Sequence, residues 1–199
     1  MLHTLSKRIA FLLFSDDEYP IEVYVYGIEL IISSLIGELI VFCLGLLLGK
    51  LIETIIFILL IKYIRIYSGG YHAKTYIVCN MVFISSYLLS VLISHCLCNV
   101  PEGIIIMLML VTTLVTVLAM LTLAPIENVN KPITAERRSI LKLKAVAVVS
   151  VVGFAFVVGY LIYRFREMIM IIPGYLTIVI SMLAELRIYG KETAYEEDN

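Results

Sequence analysis

Residues 64 to 80 read IRIYSGGYHAKTYIVCN, and they set His72 seven positions ahead of Cys79. An imidazole and a thiol are the minimal apparatus for nucleophilic acyl transfer. The imidazole takes the thiol proton, the thiolate attacks a carbonyl, and the proton returns to the leaving amine. Either residue alone would be bland: a single His at a membrane edge ordinarily serves as a hydrogen-bonded anchor, and a buried Cys behaves as a small hydrophobe. Together they imply chemistry, and their spacing restricts how it could work. In one unbroken helix the two would sit about 10 Å apart along the axis, whereas proton transfer needs hydrogen-bond reach, about 3 Å. The chain must therefore bend between them.

Gly69 and Gly70 lie just ahead of His72 and can relax the backbone there. The reading that follows starts the helix carrying Cys79 near Lys74 or Thr75, with His72 on the preceding turn folding back over it. Cys79 would then occupy the first two turns of a helix, where unpaired amides and the helix dipole favour a thiolate. A low-dielectric surrounding penalises the isolated anion, and a thiolate–imidazolium pair resolves that conflict. Free N–H groups in the turn at Gly69 and Gly70, or at the helix start, could serve as an oxyanion hole. Ser68, Asn80, Glu38 and Glu53 stand as alternative orienting residues.

The elements that must position this pair are membrane helices. Hydrophobic residues form 61% of the 199 positions, charged residues 16%, and mean hydropathy is +1.02. Soluble domains average about 45–50% apolar and about 25% charged. A net charge of −1 supplies no basic field for nucleic acid. The first residues, MLHTLSKRIAFLLFSDDEYP, carry no small-residue cleavage site, so no secretory signal is expected. Leu2, Leu5, Ile9, Leu12 and Leu13 recur at helical spacing. They suggest an amphipathic helix within residues 1–20, lying on the membrane or packed against the rest of the chain.

Apolar runs of about 20 residues fall near 27–49, 51–67, 76–98, 104–124, 140–162 and 169–187. The expected architecture is one all-α, polytopic membrane domain of about six spans. The second run is short and ends in Lys62 and Arg65, so it either snorkels or joins a re-entrant turn. With six spans and a cytoplasmic N-terminus, twelve basic residues face the cytoplasm and three (Lys50, Arg164 and Arg166) face outward. The positive-inside rule then puts both termini, the SGGYHA turn and the basic segment 125–139 in the cytoplasm.

Arg65, SGGYHA at 68–73 and Cys79, followed by APIENVNKPI at 124–133, resemble the accessory gene regulator protein B (AgrB) family. The resemblance covers nearly the whole chain. It implies a cysteine endopeptidase in the cell membrane of a Gram-positive bacterium, acting without a metal or other cofactor. Its substrate would be a small precursor peptide with an amphipathic N-terminus and an acidic C-terminal tail, processed into a cyclic quorum-sensing signal. The family's catalytic residues fall on His72 and Cys79, and the family arginine on Arg65, as an anchor or peptide contact. Lys131, Arg137 and Arg138 match the charged central loop and would dock the acidic tail, although a topology signal explains the same charges. The family picture also implies a homodimer.

Two rivals remain at this stage. A small transporter or peptide exporter without proteolytic activity could use Glu38 as an ion site. A metal site could gather His95, Cys96 and Cys98, but these lie about 28 Å of helix from Cys79 and lack a fourth ligand.

Overall fold

The computed structural model describes residues 2–13, 21–71, 73, 75–126 and 134–197. It contains seven α-helices and, among the described residues, no strand. The helices are α1 (Leu2–Leu13), α2 (Ile21–Leu47), α3 (Leu51–Ser68), α4 (Tyr76–Leu97), α5 (Glu102–Leu123), α6 (Ala135–Tyr163) and α7 (Ile171–Glu197). A 3-10 turn, Arg166–Met170, leads into α7.

Five of these helices, α2 and α4 to α7, are long and apolar enough to cross a membrane, which makes this a multi-pass membrane protein. Their exposed faces carry Leu, Ile, Val and Phe, as lipid contact requires. α3 is equally greasy between its charges but holds Glu53, Lys62 and Arg65 within 18 residues. It stays helical to Ser68 without a re-entrant bend. Lys62 meets the Glu38 carboxylate of α2 at 2.9 Å, and Arg65 donates to a backbone carbonyl. The two cations thus find partners within the protein.

α7 is the most enclosed helix, packing against α3, α4 and α5. Its Tyr175, Ile178 and Met182 join Phe57 and Ile64 of α3, Met109 and Met120 of α5, and Val149 of α6 in one core. The Tyr175 hydroxyl donates to the Val149 carbonyl at 2.7 Å, and the Thr54 and Tyr87 hydroxyls meet at 2.7 Å. A polar group in an apolar bundle needs such a partner, and these tie α7 to α6 and α3 to α4.

α2 meets its neighbours along a stripe spaced by four: Val25, Glu29, Ser33, Gly37, Val41 and Gly45. Gly37 lets α4 approach so closely that a Cβ there would lie 2.7 Å from Asn80 Oδ1. Small residues at such a seam replace the hydrophobic driving force that lipid removes. α1 packs on α2 through buried Ser6 and Ala10, while Leu5, Phe11, Leu12 and Leu13 stay exposed. The helix therefore combines packing against the chain with an open apolar side.

The connections sort into two ends. At one, Lys50 lies within electrostatic reach of Cys98 and Glu167, and Arg164 pairs with Glu102. At the other, the Ile126 N–H donates to the Ser68 carbonyl at 3.0 Å and the Tyr71 N–H to the Ser181 carbonyl at 3.1 Å. The SGGYHA turn and the segment after α5 therefore share an end.

Helix α6 begins at Ala135, so Arg137 and Arg138 stand on its exposed first turns rather than in a loop. Thr134 takes an extended conformation at the N-cap, and Glu136 complements the helix dipole behind it. Hydropathy marks only the immersed part of a helix, which is why the apolar run starts later than the helix does.

Candidate active site

The chain breaks between α3 and α4 at the two glycines. Gly69 has φ 71° and ψ −159°, a region open in practice only to glycine, and Gly70 has φ 146°. The Gly69 N–H caps α3 by donating to the Arg65 carbonyl at 3.0 Å. Neither glycine has room for a side chain. A Cβ on Gly69 would lie 2.8 Å from the Ile126 carbonyl oxygen, and one on Gly70 would lie 2.8 Å from Ser181 Oγ and 3.2 Å from Arg65 Nε.

Three elements thus converge on the turn. The Arg65 guanidinium of α3 donates to the Tyr71 carbonyl at 2.6 Å. Ser181 of α7 accepts the Tyr71 N–H, and Ile126 lies over Gly69. Two of the turn's amides, those of Gly69 and Tyr71, are consumed by these structural bonds. The Gly69 amide is therefore committed to the α3 cap in this conformation.

α4 restarts at Tyr76 after an extended N-cap, Thr75, whose hydroxyl accepts the Val78 N–H at 3.4 Å. The Cys79 N–H donates to the Thr75 carbonyl at 3.1 Å, the first backbone bond of the helix. Residues 70 to 79 are therefore not one straight helix, and Cys79 lies at the end of the first turn of a new one, half-buried and free of any disulfide. His72 lies outside the described residues, as do Lys74 and Lys131. Its chain neighbour Tyr71 is anchored on Arg65 and Ser181.

Arg65 also sits within electrostatic reach of the Cys79 sulfur and of the Glu185 carboxylate. Glu185 is buried on α7, one helical turn beyond Ser181, and so lies on the same side of α7. Neither residue stood out in the sequence, because their approach to the turn depends on how α7 packs.

The alternative orienting residues have other partners. Ser68 donates to the Gly69 carbonyl at 3.0 Å, and Asn80 donates to Ser33 of α2 at 3.3 Å. Glu38 pairs with Lys62, and Glu53 pairs with Lys50 at 2.8 Å, at the opposite end of α3. Glu38 is thereby a partner of a lysine at an α2–α3 contact, which weakens the ion-site reading that a transporter would need. At the far end of α4, Cys98 Sγ donates to the Ser94 carbonyl at 3.4 Å and Cys96 is exposed. Among the described residues, no three His, Cys, Asp or Glu side chains gather into a metal-binding group.

The family description Accessory gene regulator B (AgrB) matches residues 4–186. The chain belongs to the AgrB family. An AgrB-like protein of Listeria innocua is 31% identical over 186 residues, covering 89% of this chain and 86% of its own. An AgrB-like protein of Clostridium perfringens strain SM101 is 29% identical over 150 residues, 69% of this chain and 67% of its own. Both relatives are named for their likeness to AgrB alone. No solved structure matches the chain. The match spans the Gly-Gly turn, Cys79, the α5–α6 connection and most of α7, so the convergence described above lies wholly within the family region.

Proposed function

We propose that this AgrB-family chain is a membrane cysteine endopeptidase that removes the C-terminal tail of a small precursor peptide and leads it toward cyclisation as a quorum-sensing signal. The observation that carries the reading is the helix break. The pinned Gly69–Gly70 turn puts Cys79 at the end of the first turn of α4, with Arg65 in electrostatic reach.

Cys79 is the nucleophile and His72 its base. The sulfur attacks the scissile carbonyl, and the amides at the start of α4 that lack intrahelical acceptors receive the developing oxyanion. The carbon–nitrogen bond breaks, the His72 proton goes to the leaving amine, and the acidic tail departs. The retained peptide is a thioester on Cys79. A thiol within that peptide then attacks the same carbonyl and returns the Cys79 thiol. One thioester replaces another, so a thiolactone forms without ATP; a hydroxyl attacking in the same way gives a lactone. Excluding water near the bilayer protects the intermediate.

In this reading the protein sits in the cell membrane as a homodimer, with six crossings and both termini cytoplasmic. The exposed Arg137 and Arg138, together with Lys131, attract the acidic tail on the side where a ribosomally made peptide arrives. The test is cleavage, in reconstituted vesicles, of a small precursor peptide with an acidic C-terminal tail. The parental chain should release the tail, and Cys79→Ala and His72→Ala should each abolish release. Cleavage that survives Cys79→Ala would end the endopeptidase reading.

A further inference from the structure

Beside the catalytic turn lies a second polar cluster that the chemistry above leaves unused. Glu29 of α2 is buried to within 9% of full enclosure, in a helix otherwise built for lipid. Its carboxylate accepts the Tyr76 hydroxyl at 2.7 Å and meets His3 Nδ1 of α1 at 2.7 Å. A carboxylate so placed is costly to keep unless it has work to do. Its main partner is the first residue of α4, three positions before Cys79.

One turn further along the same stripe, Ser33 accepts the Asn80 amide, and the next turn offers Gly37 to Asn80 and Phe83. Tyr76, Asn80 and Phe83 lie within about 60° of one another around α4, and all three face α2. Cys79 falls about 60–80° to one side of that face. The α2 stripe therefore fixes the rotation of α4 about its axis, and with it the direction of the thiol. A sulfur roughly 5 Å from the axis moves about 2 Å if α4 rolls by 25°, enough to lose hydrogen-bond reach.

We infer that Glu29, through its hydrogen bond to Tyr76, is a positioning residue for Cys79, and that His3 ties the N-terminal helix α1 to the same clamp. Tyr76 and Glu29 hold the roll of α4 where the sequence restarts the helix and the backbone alone leaves it free. His3 is largely exposed, so its arm is weaker than the Tyr76 arm. The inference deepens the endopeptidase reading but has a readout of its own, the alkylation rate of Cys79.

The experiment uses the full chain in vesicles, with folded protein quantified for each variant and Cys79 as the sole remaining cysteine. Tyr76→Phe removes only a hydroxyl and keeps the ring. It should change the rate of Cys79 alkylation by N-ethylmaleimide at least about threefold, and lower kcat for precursor cleavage about 10–100-fold with KM within about twofold. Glu29→Ala should do the same, Glu29→Gln should recover most of the rate because its carbonyl still accepts from Tyr76, and His3→Ala should cost less than about threefold. Glu29→Ala combined with Tyr76→Phe should cost no more than the worse single change. Should Glu29→Ala fail to fold, Tyr76→Phe decides. Unchanged alkylation and kcat in folded Tyr76→Phe, or additive losses in the double variant, would overturn the inference. If the parental chain cleaves nothing while alkylation still responds to Tyr76→Phe, the endopeptidase reading falls and the clamp stands.

Discussion

Replacing Gly69 by alanine should abolish the proposed cleavage without touching a reacting atom. The position has φ 71° and ψ −159°, where a residue with a Cβ incurs about 1–3 kcal/mol of backbone strain. The new methyl would also lie 2.8 Å from the Ile126 carbonyl oxygen. That carbonyl cannot simply retreat, because the Ile126 N–H is bonded to the Ser68 carbonyl at 3.0 Å. Overpacking of this kind costs about a further 1–3 kcal/mol. At least about 2 kcal/mol then works against the observed turn, and at 1.36 kcal/mol per decade this is about 30-fold in the population of the competent state.

The assay is precursor cleavage per folded molecule in vesicles, where a loss of at least about 30-fold is expected. Gly49→Ala is the control. Gly49 also has positive φ, at 65°, but nothing lies within 4 Å of its would-be Cβ, and it sits at the opposite end of the bundle. Its cost of about 1–2 kcal/mol falls on folding, so cleavage per folded molecule should change less than about threefold. A folded Gly69→Ala chain cleaving at the parental rate would refute the claim that this turn presents the catalytic pair.

Three further outcomes are expected. Arg65→Ala removes a charge-assisted bond to the Tyr71 carbonyl, worth about 1.5–3 kcal/mol, so initial rates should fall about 10–150-fold. Arg65→Lys should fall between that variant and the parent, since it keeps the charge without the fork. Arg137→Ala with Arg138→Ala should raise KM for an acidic-tailed precursor about three- to tenfold, with kcat held, and the effect should shrink in high salt. Cleavage should persist undiminished in excess chelator, measured as tail release with and without EDTA.

The site was legible where the chain itself carries the signal. Two adjacent glycines, a threonine able to cap, and a Cys four residues later dictate a helix break and a restart, and α4 begins one residue after Thr75. What the sequence hid depends on which helices touch. Glu29 sat in an apolar run with no sign of its distant partners His3 and Tyr76, although the four-residue stripe through Ser33, Gly37 and Gly45 could have marked its face as an interior one. Ser181 and Glu185 reach the turn only because α7 packs beside α3 and α4. Asn80 looked like a candidate for orienting the catalytic pair because it neighbours Cys79, but a step of one residue on a helix turns the side chain by about 100°, here toward Ser33.

The central claim is that Cys79 carries the peptide as a thioester, and intact-protein mass spectrometry during turnover addresses it directly. Rapid acid quenching with precursor in excess should reveal a chain heavier by the mass of the precursor less that of the released tail. The added mass should map to Cys79, disappear with neutral hydroxylamine, and be missing from Cys79→Ala. Tail release at the full rate with no such adduct, or an adduct on another residue, would contradict the account.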